Sequence, residues 1–170
     1  TFYRRRGWAV ACLDECSINI QPYIVKGWAV KGSKPVVEIN HSRFRFHIIG
    51  ARTRRTFTLS FLERTTQRAF VRFVRKLLKR FPRLVLFIDN AAWHRGKLVK
   101  KFLRSHRKTL RICFFPPYSP EMNPVEQHWK IGKRAIGNRI LRSIPTTKYH
   151  LRNALSKKEL MPKMFQYLIN

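Results

Sequence analysis

The chain has 170 residues, with 37 Lys and Arg against 8 Asp and Glu, a formal net charge of +29 at pH 7. Hydrophobic residues make up 44 % and aromatics 13 %, which excludes a disordered basic tail and leaves enough apolar side chains for one compact domain. No apolar run is long enough for a membrane-spanning helix. So positive a field calls for a polyanion, and nucleic acid is the commonest one. A heat-adapted surface would balance its cations with acids in ion-pair networks, and those acids are missing. The start, Thr1 to Arg6, lacks a signal-peptide hydrophobic stretch and an initiator Met, and reads as the beginning of a fragment. Cys12, Cys16 and Cys113 form an odd set without paired CxxC spacing. That argues against a disulfide framework or structural zinc and for a reducing cytosol.

Trp8 to Leu13 is a short apolar run of strand formers that Asp14-Glu15 ends. Pro22 to Pro35 reads as an irregular excursion broken by Gly27, Gly32 and Pro35. Arg43 to Ala51 and Thr56 to Phe61 read as two strands joined by a polar turn. From Arg64 to Phe81 the period changes: Phe70, Phe73, Val74, Leu77, Leu78 and Phe81 make one helical stripe, with cations opposite and Pro82 as the stop. Leu84 to Ile88 is a continuous apolar run, as in a strand buried on both faces, and Asp89 ends it. A helix is expected over Gly96 to Ser105 with Leu98, Val99, Phe102 and Leu103 inward, then a strand over Leu110 to Phe115. After the stiff loop Pro116 to Pro120, Asn123 suits a helix N-cap, Pro124 the first position and Glu126 the third. Val125 and Trp129 are expected to face the core. The tail from Ser143 reads as one or two amphipathic helices interrupted by Pro145 and Pro162. The order βββ-α-β-α-β-α implies an α/β layer fold with a mixed sheet and extra C-terminal helices.

Scarcity makes the acids informative. The only two aspartates, Asp14 and Asp89, each follow an apolar strand, and strand ends are where open α/β sheets bind ligands. If the first and fourth strands are neighbours, the two carboxylates converge. Glu126 lies on the first turn of a helix beside the same cleft. Each acid also has an ordinary reading, as a turn former or a helix cap. Carboxylates crowded together repel, and hard divalent cations are what neutralise them. A pair of such ions can clamp both oxygens of an in-line phosphoryl displacement. Glu15 points to the other side of its strand and is not counted as a primary ligand. Trp129 is expected to be core and to fix the rotation of the helix that carries Glu126. The basic face from Arg68 to Arg80 is by default a solvated surface that touches the DNA backbone.

The segments Leu13-Asp14-Glu15, Trp28-Ala-Val-Lys-Gly32, Phe87-Ile-Asp89-Asn-Ala-Ala-Trp-His94 and Pro116-Pro-Tyr-Ser-Pro-Glu-Met-Asn-Pro-Val-Glu126-Gln-His-Trp129 resemble the catalytic domain of DDE transposases. The resemblance is to the prokaryotic insertion-sequence branch of the mariner superfamily, and it covers residues 8 to 140. Glu126 follows Asp89 by 37 positions, in keeping with that family. It implies a ribonuclease H-like fold, with a catalytic domain over 1–140 and a C-terminal helical extension of it over 141–170. It also implies two Mg²⁺ or Mn²⁺ ions held by Asp14, Asp89 and Glu126 as the catalytic acids. The implied reaction is DNA cleavage at transposon ends with strand transfer into target DNA, carried out by a homodimer in a prokaryotic cytoplasm at the nucleoid. Asn90 and His94 are candidates to orient water or contact phosphate, with helix capping the plainer role for His94. Trp28 and Lys31 are candidates for contact with substrate or a second subunit, although simple packing is the expected role of Trp28. Nothing in the chain resembles the helix-turn-helix that reads terminal repeats in relatives. The other readings are a structure-selective nuclease of the same fold and a non-catalytic, domesticated DNA-binding remnant.

Overall fold

Short apolar runs of strand formers and a 3.6-residue period after residue 66 divide this chain between sheet and helix, as its computed structural model bears out. The structure describes residues 3, 6–20, 23–37, 44–117 and 119–157. Five strands, β1 (Ala9–Asn19), β2 (Arg45–Thr53), β3 (Phe57–Leu62), β4 (Leu84–Ile88) and β5 (Leu110–Phe114), form one sheet in the order β3-β2-β1-β4-β5. The first three make an antiparallel meander, and β4 and β5 add in parallel to β1. Parallel addition needs crossovers, which α1 (Gln67–Arg80) and α2 (Lys97–Ser105) supply. Two further helices, α3 (Val125–Ala135) and α4 (Ile144–Ser156), follow β5.

The sheet is covered on both faces. Leu13, Ile49, Leu86 and Ile88 look toward Phe70, Phe73, Val74 and Leu77 of α1 and Val99 and Phe102 of α2. Cys12, Ile18 and Ile48 look the other way, toward Val125 and Trp129 of α3 and Leu151 and Leu155 of α4. In the interior strand β4, Leu84, Val85, Leu86 and Ile88 are buried, as its unbroken apolar run requires.

Several local expectations shift. The first strand does not stop at Asp14: β1 continues to Asn19 because Asp14 to Asn19 stay paired with β2, although the pairing with β4 ends at Cys12 opposite Phe87. Arg43, the expected start of the second strand, lies outside the described residues, and β2 begins at Arg45. Helix α1 starts at Gln67 rather than Arg64, because the Thr66 hydroxyl accepts the Ala69 N–H at 3.1 Å and caps it there. Leu98 is 39 % exposed, an outward position in the first turn of α2. Its N–H is taken by Gln67 Oε1 at 3.1 Å. Pro145 does not interrupt α4. It occupies the first turn, which needs no N–H there, after the cap Ser143. A second tail helix about Pro162 falls outside the described residues.

Candidate active site

The parallel register between β1 and β4 pairs Ala9 with Leu84 and Cys12 with Phe87. Continuing it by two residues sets Asp14 beside Asp89. The chain after β5 then returns along this end of the sheet, with the Phe115 N–H donating to Ile88 O at 2.9 Å. The third acid comes from α3. Asn123 Oδ1 accepts the Val125 N–H at 3.2 Å, capping the helix, while its Nδ2 donates to Leu13 O at 3.4 Å. One side chain thus starts the helix and ties it to the strand residue before Asp14. The result is a cleft of about 310 Å³ lined by Asp14, Asp89, Asn90 and Glu126, with Phe115, Pro116 and Pro117 as a stiff wall.

The carboxylates differ in environment. Asp14 is 9 % exposed and its Oδ2 accepts the Trp129 Nε1–H at 2.8 Å. Burial pushes its carboxyl up to about 7. The indole hydrogen bond opposes the rise, and the nearby charges of Glu126 and Glu15 add to it. Trp129 fits because Asp14 pairs across the sheet with Gly50. A Cβ on Gly50 would lie 2.7 Å from Trp129 Cη2 and 2.7 Å from Phe57 Cζ.

Asp89 is half exposed and tightly held. His94 Nδ1 donates to its Oδ1 at 2.9 Å, and the Ala91 N–H donates to the same oxygen at 3.1 Å. The His94 bond holds this carboxyl below its usual value against a smaller effect of burial. His94 is itself buried, and Nε2 donates to Glu15 Oε1 at 3.2 Å. Burial alone would lower the imidazole; its bonds to Asp89 and Glu15 outweigh that and bring it up to about 9. Trp93 Nε1 also lies 3.1 Å from Nε2, a contact that is a hydrogen bond only in the neutral ring. The two carboxylates favour the imidazolium, so the Nε2 proton goes to Glu15.

Asn90 donates to Phe115 O at 3.0 Å and accepts from Arg95, which ties the loop after β4 to the proline wall. Trp28 and Lys31 do not line the cleft. They lie on the irregular stretch 23–37, whose start is pinned to the end of α3: Asn138 exchanges hydrogen bonds with Val25 at 3.0 and 2.8 Å. Beyond that anchor Trp28 is fully exposed, and the expectation that it packs is corrected. Among the described residues no element stands over this stretch to receive the ring.

Two residues gain roles that the sequence did not assign. Glu15 sits under His94, and the alternation that took it out of the cleft is the signal that could have found it. His128 is buried against Phe57 at 4.0 Å between ring centroids, and among the described residues no partner meets full hydrogen-bond geometry at either ring nitrogen. Burial, then the Arg52 charge, lowers it to about 4, with the Pro124 carbonyl opposing only weakly.

The donor set is suited to a hard divalent cation, since carboxylate oxygens line the cleft and the buried one carries an unrelieved desolvation cost. Among the described residues no three His, Cys, Asp or Glu side chains stand close enough to hold one ion as a closed cage.

Comparison with known proteins gives a family and a fold. A family model described as DDE superfamily endonuclease matches residues 9–148. The insertion element IS630 uncharacterized 39 kDa protein of Shigella sonnei is 25 % identical over 122 residues, covering 69 % of this chain and 35 % of that protein. The Mos1 mariner paired-end complex with Mn superposes with a TM-score of 0.69 at 18 % identity, over 94 % of this chain and 53 % of that one. The catalytic domain of Mos1 mariner transposase superposes with a TM-score of 0.65 at 17 % identity, over 94 % of this chain and 78 % of that one. The fold is therefore ribonuclease H-like, as these neighbours are. The chain spans about a third of the curated relative and about half of the Mos1 chain in the paired-end complex.

Proposed function

Since this chain belongs to the DDE superfamily endonucleases, we propose that it is the catalytic part of a transposase, with Asp14, Asp89 and Glu126 as its catalytic acids. It cleaves DNA at element ends and joins the freed 3′ hydroxyl to target DNA. One observation carries this reading: aspartates from two adjacent parallel strands line a single cleft with a glutamate from the first turn of α3. The similar Mos1 structures, solved with Mn, with Mg and as a strand transfer complex, support the cofactor and the second step.

Asp14, Asp89 and Glu126 would hold one or two divalent ions. Bound there, Mg²⁺ or Mn²⁺ supplies charge neutralisation and Lewis-acid polarisation of the phosphoryl oxygens. The chain's residues fix the rest. Trp129 favours the ionised form of Asp14 and points it into the cleft. The Glu15–His94 pair and the Ala91 N–H hold one oxygen of Asp89 and leave the other free to ligate. Asn90 and the prolines keep the opposite wall at a fixed distance, so the scissile phosphate is positioned rather than solvated. Two ends must be cut together, so the working form would be a homodimer, in the cytoplasm at the nucleoid. Residues 1–140 form the catalytic unit in this reading, with 141–170 as its helical extension.

Asp89→Asn tests it. Divalent-dependent nicking and strand transfer, followed on gels with an end-bearing duplex, should fall at least a hundredfold. DNA binding should stay equal or strengthen, since a negative charge is lost. Undiminished nicking would overturn the assignment. Hydrolysis without joining would favour the structure-selective nuclease, and absence of divalent binding the non-catalytic remnant.

A further inference from the structure

The carboxylates of the described residues share one end of the molecule. Asp14 and Asp89 lie level where β4 finishes, with Glu15 beside them. Glu121 and Glu126 follow β5. Glu63 follows Leu62, which pairs with His47 opposite Ser17, beyond Asp14. The other end is built from cations. There the three parallel strands begin side by side, the Ala9 N–H donating to Arg83 O at 2.9 Å and the Leu84 N–H to Thr109 O at 2.8 Å. Arg83 precedes β4, Arg107 and Lys108 precede β5, and Arg111 is the second residue of β5; all four are exposed. The turn after β2 adds exposed Arg54 and Arg55, since Thr53 pairs with Ala11 and the next two residues come level with Val10 and Ala9. Among the described residues none of these six pairs with a carboxylate.

From Arg83 to Asp89 along β4 is about 20 Å at ~3.3 Å per residue. That exceeds the Debye length of about 8 Å at physiological salt, so the acids do not cancel this field. From the β2 column to the β5 column is three strand spacings, about 14 Å, a length of duplex that carries about eight phosphates. Aromatic surface is interleaved, with Arg111 over the Trp8 ring at 5.7 Å. The two ends also differ in what they need. A phosphate approaching the cleft meets carboxylates, whereas one approaching the opposite pole meets only cations and needs no metal.

We propose that this basic pole is a second DNA-binding surface, which holds another stretch of duplex through its phosphates, without sequence preference, while the cleft holds the strand being cut. That the polyanion is DNA rests on the transposase reading; that a polyanion binds at this pole does not.

The test is anisotropy titration of a short labelled duplex without element sequence, in EDTA, across a range of salt. It compares the protein with a variant carrying Arg54→Gln, Arg55→Gln, Arg83→Gln, Arg107→Gln and Lys108→Gln, and with one carrying Lys at the four arginines. The glutamine variant should bind at least tenfold more weakly at moderate salt. Its slope of log K against log salt should flatten by about 0.9 for each phosphate that is no longer neutralised, up to about 4.5. The lysine variant should keep the wild-type slope. Divalent-dependent cleavage of saturating end duplex by the glutamine variant should stay within about twofold. Unchanged affinity and slope in the glutamine variant would overturn the proposal, as would an equal loss in the lysine variant. Loss of anionic-vesicle binding with DNA binding intact would overturn it too. A wild-type protein that binds in EDTA by this pole yet never cleaves with metal would fault the transposase reading and leave the pole standing.

Discussion

At the scale of single residues, the site is governed by how each carboxylate is kept charged. Asp14 pays for its burial with a carboxyl near 7, and the Trp129 N–H is the group that works against that rise. Removing the donor while keeping the ring's bulk isolates the effect. Trp129→Phe should lift the Asp14 pKa further, because the hydrogen bond favours the ionised form. The pH for half-maximal cleavage should then move upward by about one to two pH units, with a stability loss of about 1–3 kcal/mol. A pH–rate profile alongside a thermal melt checks both, and an unmoved profile would mean that Asp14 does not limit the reaction. On the opposite side of β1, Glu15 and His94 do for Asp89 what Trp129 does for Asp14, from beneath. Neighbouring residues of one strand thus serve both acids from the two faces of the sheet.

At the scale of elements, strand register and helix caps position the acids. The β1–β4 register aligns the aspartates, and the Asn123 cap sets where α3 starts and hence where Glu126 points. Asn123→Ala removes both the cap and the link to Leu13 O. The expected loss is about 1–2 kcal/mol of stability, measured by denaturant titration. Cleavage should fall more than the folded fraction does, because Glu126 loses its fixed origin. A proportional loss of the two would reduce Asn123 to a stabilising cap. Helix α1 was legible because Phe70, Phe73, Val74 and Leu77 repeat at helical spacing with no competing pattern. The extent of β1 was not. Asp14-Glu15 looks like a strand end to local reading, and only pairing with β2, more than thirty residues on, keeps those residues extended.

At the scale of the whole molecule, stability follows pH through the few buried groups that titrate away from their usual values. His94, raised to about 9, contributes stability that is complete below about 6.5, its unfolded value, and is lost as pH rises through 9. Asp14, raised to about 7, costs stability progressively from about 3.8 to 7. His128, lowered to about 4, works the other way and adds stability as pH rises from 4 to 6.5. Asp14 and His128 therefore oppose each other in mild acid, His94 dominates from about 7 to 9, and the thiols of Cys12 and Cys16, raised by burial, add to the loss above that. In EDTA the melting temperature should stay level between about pH 4 and 6.5 and fall from there toward pH 9. Mg²⁺ should raise it more at pH 8 than at pH 5, since at pH 5 protons occupy Asp14 and compete with the ion. Equal Mg²⁺ shifts at the two pH values would show that Asp14 is no ligand.

By itself the sequence determined the strand-helix alternation, and it pointed to a polyanion partner and to three candidate acids. These follow from composition and local periodicity: an excess of 29 positive charges, a helical stripe, and two aspartates that each follow an apolar run. Only the tertiary structure decided that Trp129 hydrogen-bonds Asp14, that Gly50 makes room for that ring, that His94 is clamped between Glu15 and Asp89, and that Trp28 stands in solvent. The reason is distance along the chain. Asp14 and Trp129 are separated by 115 positions and Glu15 and His94 by 79, and no local pattern encodes which strand neighbours which. The same sheet order sends the cations of three turns to the end away from the acids, turning a net charge into a molecule with two different poles.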